Sequence, residues 1–165
     1  MDKKPFLALF IEALEAIKEP RFFESERGYQ GELLAELRNR IARARFPGDP
    51  IVEQEYQKTI PAHGLTIRPD LIIHIPFDRG LTSGRKEGNF VAVELKRRAN
   101  EKKARAAFEN LRQIKEALNY PLTLFVNIDS ADPCAEFCPD SIAVQTLCIA
   151  VRLENGNPVI RVQEP

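Results

Sequence analysis

The chain has 165 residues, 44% of them hydrophobic, and its 24 basic side chains balance its 24 acidic ones. This length and apolar content predict one folded domain, residues 1–165, while the zero net charge argues against binding a polyanion through bulk charge. No apolar run approaches the roughly 18 residues that a membrane span needs. The N-terminus also lacks the apolar stretch of a signal peptide, so we expect a cytoplasmic protein without membrane association.

The first half of the chain begins with helical patterns. Apolar residues recur at helical spacing over residues 5–18, which predicts an amphipathic helix ended by Pro20. A second helix is predicted over residues 27–45. The Pro-Gly-Asp-Pro sequence at 47–50 then breaks the chain.

Strand patterns follow this break. Residues 51–60 and 66–76 are predicted strands with a turn near 62–64, although the alternation of the first is imperfect. Residues 77–89 are polar and rich in glycine, which predicts a hairpin loop. An apolar strand over 90–96 follows it.

The second half adds a helix, a strand and a hairpin. Asn100 is a predicted N-cap for a helix reaching about residue 119, whose apolar residues form one stripe. Residues 122–128 form a short apolar strand after Pro121. Residues 141–163 alternate around an Asn-Gly pair at 155–156, which is a strong hairpin signal.

This order of elements predicts an α/β (α+β) domain. N-terminal helices over 5–45 precede a core over 51–128, and the C-terminal hairpin over 141–163 completes the chain. A crossover helix between the strands at 90–96 and 122–128 predicts that these two are parallel. The first three strands should form an antiparallel meander, giving a mixed sheet with helices on both faces.

Charged side chains interrupt two of the predicted strands. Alternate residues of a strand share a face, which places Asp70 with His74 on one strand and Phe90 with Glu94 and Lys96 on another. If the strands are neighbours, the two carboxylates and the amine converge. Two carboxylates can hold a hard divalent cation such as Mg²⁺, and a lysine beside them can orient water or stabilise a phosphate.

Pro69-Asp70 followed by Glu94-Leu95-Lys96 resembles the PD-(D/E)XK signature of restriction-endonuclease-like nucleases. The resemblance extends over about residues 22–128 and includes that superfamily's αβββαβ core order. It implies a metal-dependent phosphodiesterase acting on nucleic acid, with DNA the expected substrate. It further implies that Asp70, Glu94 and the Leu95 carbonyl bind Mg²⁺, for which Mn²⁺ can substitute, and that Lys96 assists the attacking water.

The superfamily often adds a glutamate from the helix that precedes the sheet. The apolar stripe of the second helix extends backwards to Gln30 and Glu26, whereas Glu32 and Glu36 fall off it. We therefore favour Glu26 as a further catalytic residue, with Gln30 next. A carboxylate that only begins the helix is the alternative for Glu26, and Gly28 would fit a later helix start.

Further polar candidates come from the resemblance and from the strand pattern. Relatives place a polar residue on the helix after the motif, and Asn110 flanks the apolar stripe better than Gln113. His74 is a candidate for contacting a phosphate or metal-bound water, with an ordinary hydrogen-bonded strand histidine as the alternative. Glu53 and Glu55 leave open a further carboxylate from the first strand.

Basic residues cluster beside this candidate site. Residues 79–105 hold nine Lys or Arg and three Glu, a local net charge of +6. Such a stripe suits phosphate contact, with a solvated helix face as the alternative. The residues expected to hold the nucleic-acid backbone are Arg85, Lys86, Arg97, Arg98, Lys102 and Lys103.

The three cysteines, Cys134, Cys138 and Cys148, are interpreted as reduced structural thiols, because a structural zinc site normally takes four Cys or His ligands.

The leading hypothesis is a Mg²⁺-dependent nuclease. One alternative is a catalytically inactive protein of the nuclease fold that acts as a nucleic-acid-binding or protein-assembly subunit. Another is a protein-interaction domain whose C-terminal hairpin supplies the edge of a homodimer.

Overall fold

A computed structural model of the protein describes residues 2–54, 67–76 and 87–165. Four α-helices and two short 3₁₀ helices appear in these ranges. The α-helices are α1 (Lys3–Ala16), α2 (Glu26–Ala44), α3 (Glu101–Leu118) and α4 (Asp140–Ala143), and the 3₁₀ helices cover Pro20–Glu24 and Ala135–Phe137. The strands are β1 (Ile51–Gln54), β2 (Leu71–His74), β3 (Asn89–Arg97), β4 (Leu122–Ile128), β5 (Thr146–Glu154) and β6 (Asn157–Gln163).

The strands of the described residues form one open six-stranded sheet in the order β1-β2-β3-β4-β5-β6. β1, β2 and β3 are antiparallel neighbours, as the predicted meander requires. β3 and β4 are parallel, which confirms the pairing expected from the crossover helix. β4 and β5 are also parallel, and β6 returns antiparallel to β5. The class is therefore mixed α/β, with helices on both faces of a mixed sheet.

Two apolar layers fix the helices to the sheet. α1 and α2 pack on one face, where Phe6 and Leu37 lie in a cluster with Val93 of β3. α3 packs on the other face, where Phe108 lies in a second cluster with Ala92. Adjacent residues of β3 thus enter opposite layers, as the pleat of a strand requires.

Side chains cap the starts of α2 and α3, and the cap of α3 is the one predicted from the sequence. The Asn100 side chain accepts a hydrogen bond from the Lys103 backbone N–H at 3.0 Å and caps α3. Ser25 caps α2 by accepting from the Gly28 N–H at 3.0 Å. Gly28 therefore lies in the first turn of α2, which starts early enough to include Glu26.

Two strand predictions are corrected near the candidate site. Residues 67–70 precede the hydrogen-bonded part of β2, which starts at Leu71 and not at residue 66. Phe90 does not share a face with Ala92, because the register shifts between β2 and β3 and leaves Phe90 as an extra residue. Its ring packs edge-on against Phe6 on the α1 side, with ring centroids 5.3 Å apart.

The C-terminal prediction is correct at the turn and wrong at the start. Asn155 and Gly156 have φ values of 51° and 77°, the left-handed conformation that a two-residue hairpin turn needs. Residues from 141 onward do not begin a strand, because Asp140–Ala143 form α4 and β5 starts at Thr146. Ile142 is buried from this helical turn.

Some expectations fall outside the described residues. These are the C-terminal part of the strand predicted over 51–60, the turn near 62–64 and the loop up to residue 86. Among the helices of the described ranges, none has the length and apolar character to cross a membrane.

Two glycines provide a matched test of the packing. A Cβ on Gly88 would lie 2.2 Å from the Ile75 carbonyl oxygen, so Gly88→Ala must displace the backbone beside β2. We expect it to lower the free energy of unfolding by about 1–3 kcal/mol. Gly31 lies within α2 with nothing within 4 Å of an added Cβ, so Gly31→Ala should raise stability by about 0.5–1 kcal/mol. Urea unfolding measures the stability of both variants. If both substitutions changed stability in the same direction, the packing described for the two glycines would be contradicted.

Candidate active site

The candidate site forms where β2 begins and β3 ends. Leu71 pairs with Val93 in antiparallel register, so Asp70, one residue earlier, lies beside Glu94, one residue later. Side chains of directly opposed residues project to the same face about 5 Å apart. The sheet therefore brings together two carboxylates that are 24 residues apart in the sequence.

The backbone hydrogen bonds between β2 and β3 end beside Asp70, and the Asp70 side chain supplies the next contact between the two segments. Asp70 Oδ2 accepts the Leu95 backbone N–H at 2.7 Å. The side chain remains 25% exposed, so solvent reaches it. Burial raises the pKa of Asp70, and the Lys96 ammonium and the Leu95 N–H partly offset that rise.

Glu94 is the most constrained residue of the site. It lies within the apolar β3 strand and is only 2% exposed. Its Oε2 atom contacts Lys96, whereas Oε1 is buried without a hydrogen-bond partner of ordinary geometry among the described residues. Burial, and then the neighbouring Asp70, raise the pKa of Glu94 to about 8. The Asn110 side chain from α3 acts on the same carboxyl and lowers its pKa, which places this predicted residue at the site.

Lys96 joins the two acids. Its Nζ atom lies 3.3 Å from Glu94 Oε2 and 3.7 Å from Asp70 Oδ2, and it donates to the Leu95 carbonyl at 2.8 Å. Burial alone would lower the pKa of Lys96, but the nearby carboxylates raise it above its ordinary value. The predicted convergence of Asp70, Glu94 and Lys96 is therefore present in the structure.

Both residues favoured on α2 contact the strands that carry the site. Glu26 Oε1 accepts the Arg97 backbone N–H at 2.9 Å, at the end of β3. Gln30 is buried, and its Nε2 atom donates to the Asp70 backbone carbonyl at 2.6 Å. The helical phase thus placed both side chains correctly, and the contacts show that α2 holds the two strand ends together.

Two of the predicted cationic residues are held by contacts within the protein. Arg97 donates from Nε to the Phe23 carbonyl at 2.7 Å and from Nη2 to Asp129 Oδ2 at 2.8 Å. Arg98 donates from Nε to the same Asp129 oxygen at 2.8 Å, although its side chain stays 66% exposed. Arg97 therefore braces the end of β3, and Arg98 is the more accessible of the two.

The other cations differ in their surroundings. Lys103 Nζ donates to the Arg97 carbonyl at 3.2 Å. Lys102 is exposed and makes no polar contact with any residue that the structure describes. Arg85 and Lys86 lie outside the described residues.

His74 is not part of the Asp70–Glu94–Lys96 cluster. It lies at the far end of β2, four residues from Asp70, which is about 13 Å at the usual rise of a strand. Its Nε2 atom lies 2.7 Å from Glu53 Oε2 on β1. Gln113, the less favoured residue of α3, donates to Glu109 on the exposed face of its own helix.

Sequence reasoning missed two polar residues at the end of β4. Asp129 pairs with both Arg97 and Arg98, and Asn127 Oδ1 accepts the Ala99 N–H at 2.8 Å just before α3. Since β3 and β4 are parallel, the residues after both strands meet at one edge of the sheet. The parallel pairing was expected from the sequence, so polar residues at this edge were a detectable signal.

The donor set suits a hard cation that keeps several waters. Across the ranges 2–54, 67–76 and 87–165, no three His, Cys, Asp or Glu side chains are placed together to hold a metal ion. The oxygen donors that do lie together are the two carboxylates and the Leu95 carbonyl, which is a typical protein contribution to Mg²⁺ binding. Glu94 Oε1, which is buried and has no hydrogen-bond partner of ordinary geometry among the described residues, also fits a cation, because a buried carboxylate oxygen without a partner is costly. The three cysteines are free thiols.

Comparisons with family models, with curated proteins and with solved structures found no match to this chain.

The buried Glu94 predicts a pH-dependent stability. Its pKa rises from an ordinary 4.5 to about 8 on folding, so folding favours the protonated acid. The stabilising contribution is complete below about pH 4 and is lost as pH rises through 8. In EDTA, the Tm of Glu94→Gln minus the Tm of wild type should therefore increase as the pH is raised from 5 to 9. The exposed Glu116→Gln is the control, and a pH-independent difference for Glu94→Gln would contradict this assignment.

The Gln30 contact predicts a loss of stability on truncation. Gln30→Ala leaves the Asp70 carbonyl without its donor and should cost about 1–2 kcal/mol in urea unfolding. Gln30→Glu should cost at least as much, because an ionised carboxylate has no donor for that carbonyl. Glu32→Ala is the control, because Glu32 lies on the same helix but off the stripe that carries Gln30. An equal effect of the Glu32 and Gln30 variants would refute the role of the contact.

Proposed function

We propose that this protein is a Mg²⁺-dependent nuclease that hydrolyses phosphodiester bonds of nucleic acid, with DNA the expected substrate. The observation that carries the proposal is the cluster of Asp70, Glu94 and Lys96, whose charged atoms lie within 4 Å of the central ammonium. A buried carboxylate in an apolar strand is costly to keep, so its presence beside a second acid favours a chemical role over a structural one.

The roles follow from chemistry and position. Asp70, Glu94 and the Leu95 carbonyl would hold Mg²⁺, which when bound supplies an activated water and neutralises charge on the phosphate. Lys96 stabilises negative charge on a phosphate oxygen or orients the attacking water. Glu26 adds a third carboxylate near enough to act on both Asp70 and Lys96.

The fold supports the same proposal. From α2 to β4 the described elements follow the order α, β, β, β, α, β, which is the core order expected for restriction-endonuclease-like nucleases. Asp70 directly precedes the second of these strands, and Glu94 lies near the end of the third. We therefore propose that the domain is a member of this fold group.

Nucleic-acid binding would use the cations beside the site. Lys102 is exposed and unpaired within the described residues, and Arg98 is largely exposed, so both are able to contact phosphates. Asp129 neutralises part of the charge of Arg97 and Arg98, so this surface is less basic than the sequence count suggests. We expect modest affinity that falls with salt.

Cleavage assays test the proposal directly. Supercoiled, linear and single-stranded DNA and RNA are incubated with Mg²⁺, with Mn²⁺ or with EDTA. Cleavage should need the metal and fall by about 100-fold or more in Asp70→Asn, Glu94→Gln and Lys96→Met. Glu116→Gln, on an exposed ion pair of α3, should cleave as wild type does. Wild type that cleaves no substrate, or a Glu94→Gln protein of full activity, would refute the nuclease.

A non-catalytic role is the second candidate. It is favoured by the small donor set, which contains no group of three acidic, Cys or His ligands in the described part of the chain. A binding or assembly subunit would retain DNA in a salt-dependent way, yet neither bind Mn²⁺ in calorimetry nor cleave. That combination of results would select this role over the nuclease.

A further inference from the structure

The Lys96 ammonium occupies a cation position. Its three oxygen neighbours are Glu94 Oε2 at 3.3 Å, the Leu95 carbonyl at 2.8 Å and Asp70 Oδ2 at 3.7 Å. These oxygens come from two strands and converge on one nitrogen. The lysine side chain is only 22% exposed, so it folds back onto the sheet and does not extend into solvent.

The electrostatics of the site explain this conformation. Asp70 and Glu94 are adjacent carboxyl groups, and Glu94 is almost fully buried. Like charges at this spacing disfavour each other's ionisation, and a buried carboxylate needs a counter-charge. In the described structure, the Lys96 ammonium is the only cation within 4 Å of either carboxylate.

We infer that Lys96 is an internal competitor for the divalent cation: its ammonium fills the metal position in the metal-free protein and must be displaced for the metal to bind. The inference rests on the proposed function, because the three oxygens around Lys96 belong to the groups proposed to hold Mg²⁺. Metal held by these same three oxygens takes the place of the ammonium, so binding of one releases the other.

Displacement links metal binding to the second role of the lysine. While Lys96 is held by Glu94 and Asp70, its charge is neutralised by carboxylates inside the protein. Once released, the ammonium is free to donate to an anionic phosphate oxygen beside the metal. Metal-free protein therefore keeps a stable, neutralised site, and the lysine becomes available only when the metal is bound.

Lysine labelling measures the displacement on the wild-type protein. Reductive methylation is followed residue by residue with mass spectrometry, in EDTA and in saturating Mn²⁺. Lys96 should react slowly in EDTA and about 5-fold or more faster in Mn²⁺, because it has lost its oxygen partners. Lys102 is exposed in both states and serves as the internal control, with an unchanged rate.

Calorimetry with Mn²⁺ measures the competition. Lys96→Met removes the competing charge and should tighten Mn²⁺ binding by about 10-fold or more. Lys115→Met removes a cation of α3 that contacts the Ser141 carbonyl and neither carboxylate, so it should change the affinity by less than about 3-fold.

The outcomes separate this inference from the proposed function. Wild type that binds Mn²⁺ and cleaves DNA, with unchanged Lys96 labelling, would overturn the inference and leave the nuclease intact. Mn²⁺ binding by Lys96→Met but not by wild type, with no cleavage, would support the competition and refute the nuclease. If neither protein bound Mn²⁺, the inference would fail whatever the cleavage result.

Discussion

The need of Glu94 for a counter-charge is the constraint around which this site is arranged. Its strand, β3, lies between two apolar layers, and the side chain is nearly inaccessible to water. An isolated carboxylate in such a position would stay protonated or destabilise the fold. Lys96 lies next to it and the Asn110 side chain acts on the same carboxyl, yet burial still holds the pKa of Glu94 well above its ordinary value. The proposed role in binding a metal ion gives a reason for such a group to be present.

The helix α2 fixes the geometry that Glu94 and Asp70 require. Its Glu26 and Gln30 side chains contact the end of β3 and the residue before β2, so one helix braces both strand ends. The apolar residues of the same helix pack against the face of the sheet opposite to the one that carries the Glu94 side chain. The β2–β3 register places the two carboxylates side by side, and the apolar layer that anchors α2 holds the helix where its polar side chains reach both strand ends.

Charge around the site is divided between structure and binding. Asp129 holds both Arg97 and Arg98, and Lys103 contacts the backbone of Arg97. These contacts brace the end of β3 and the segment that leads into α3. A count of basic residues therefore overstates the charge offered to a polyanion, and the accessible cations in the described chain are fewer than the sequence suggests.

The sequence by itself determined the features that arise from near neighbours. Asn100 and the apolar stripe after it gave α3, the Asn-Gly pair gave the β5–β6 turn, and the phase of α2 pointed to Glu26 and Gln30. Alternation and the meander predicted that Asp70, Glu94 and Lys96 converge. Each of these depends on the period of a helix, a strand or a turn, which a few consecutive residues fix.

Only the tertiary structure decided the features that depend on register and on long-range contacts. The extra residue at Phe90 reverses its face, the parallel β4–β5 pairing places the C-terminal hairpin, and Asp129 captures the arginines at the end of β3. The contacts of Lys96 with three oxygens belong to the same group. Such contacts join segments far apart in the chain, and their geometry follows from how the strands and helices pack, which local periodicity does not specify.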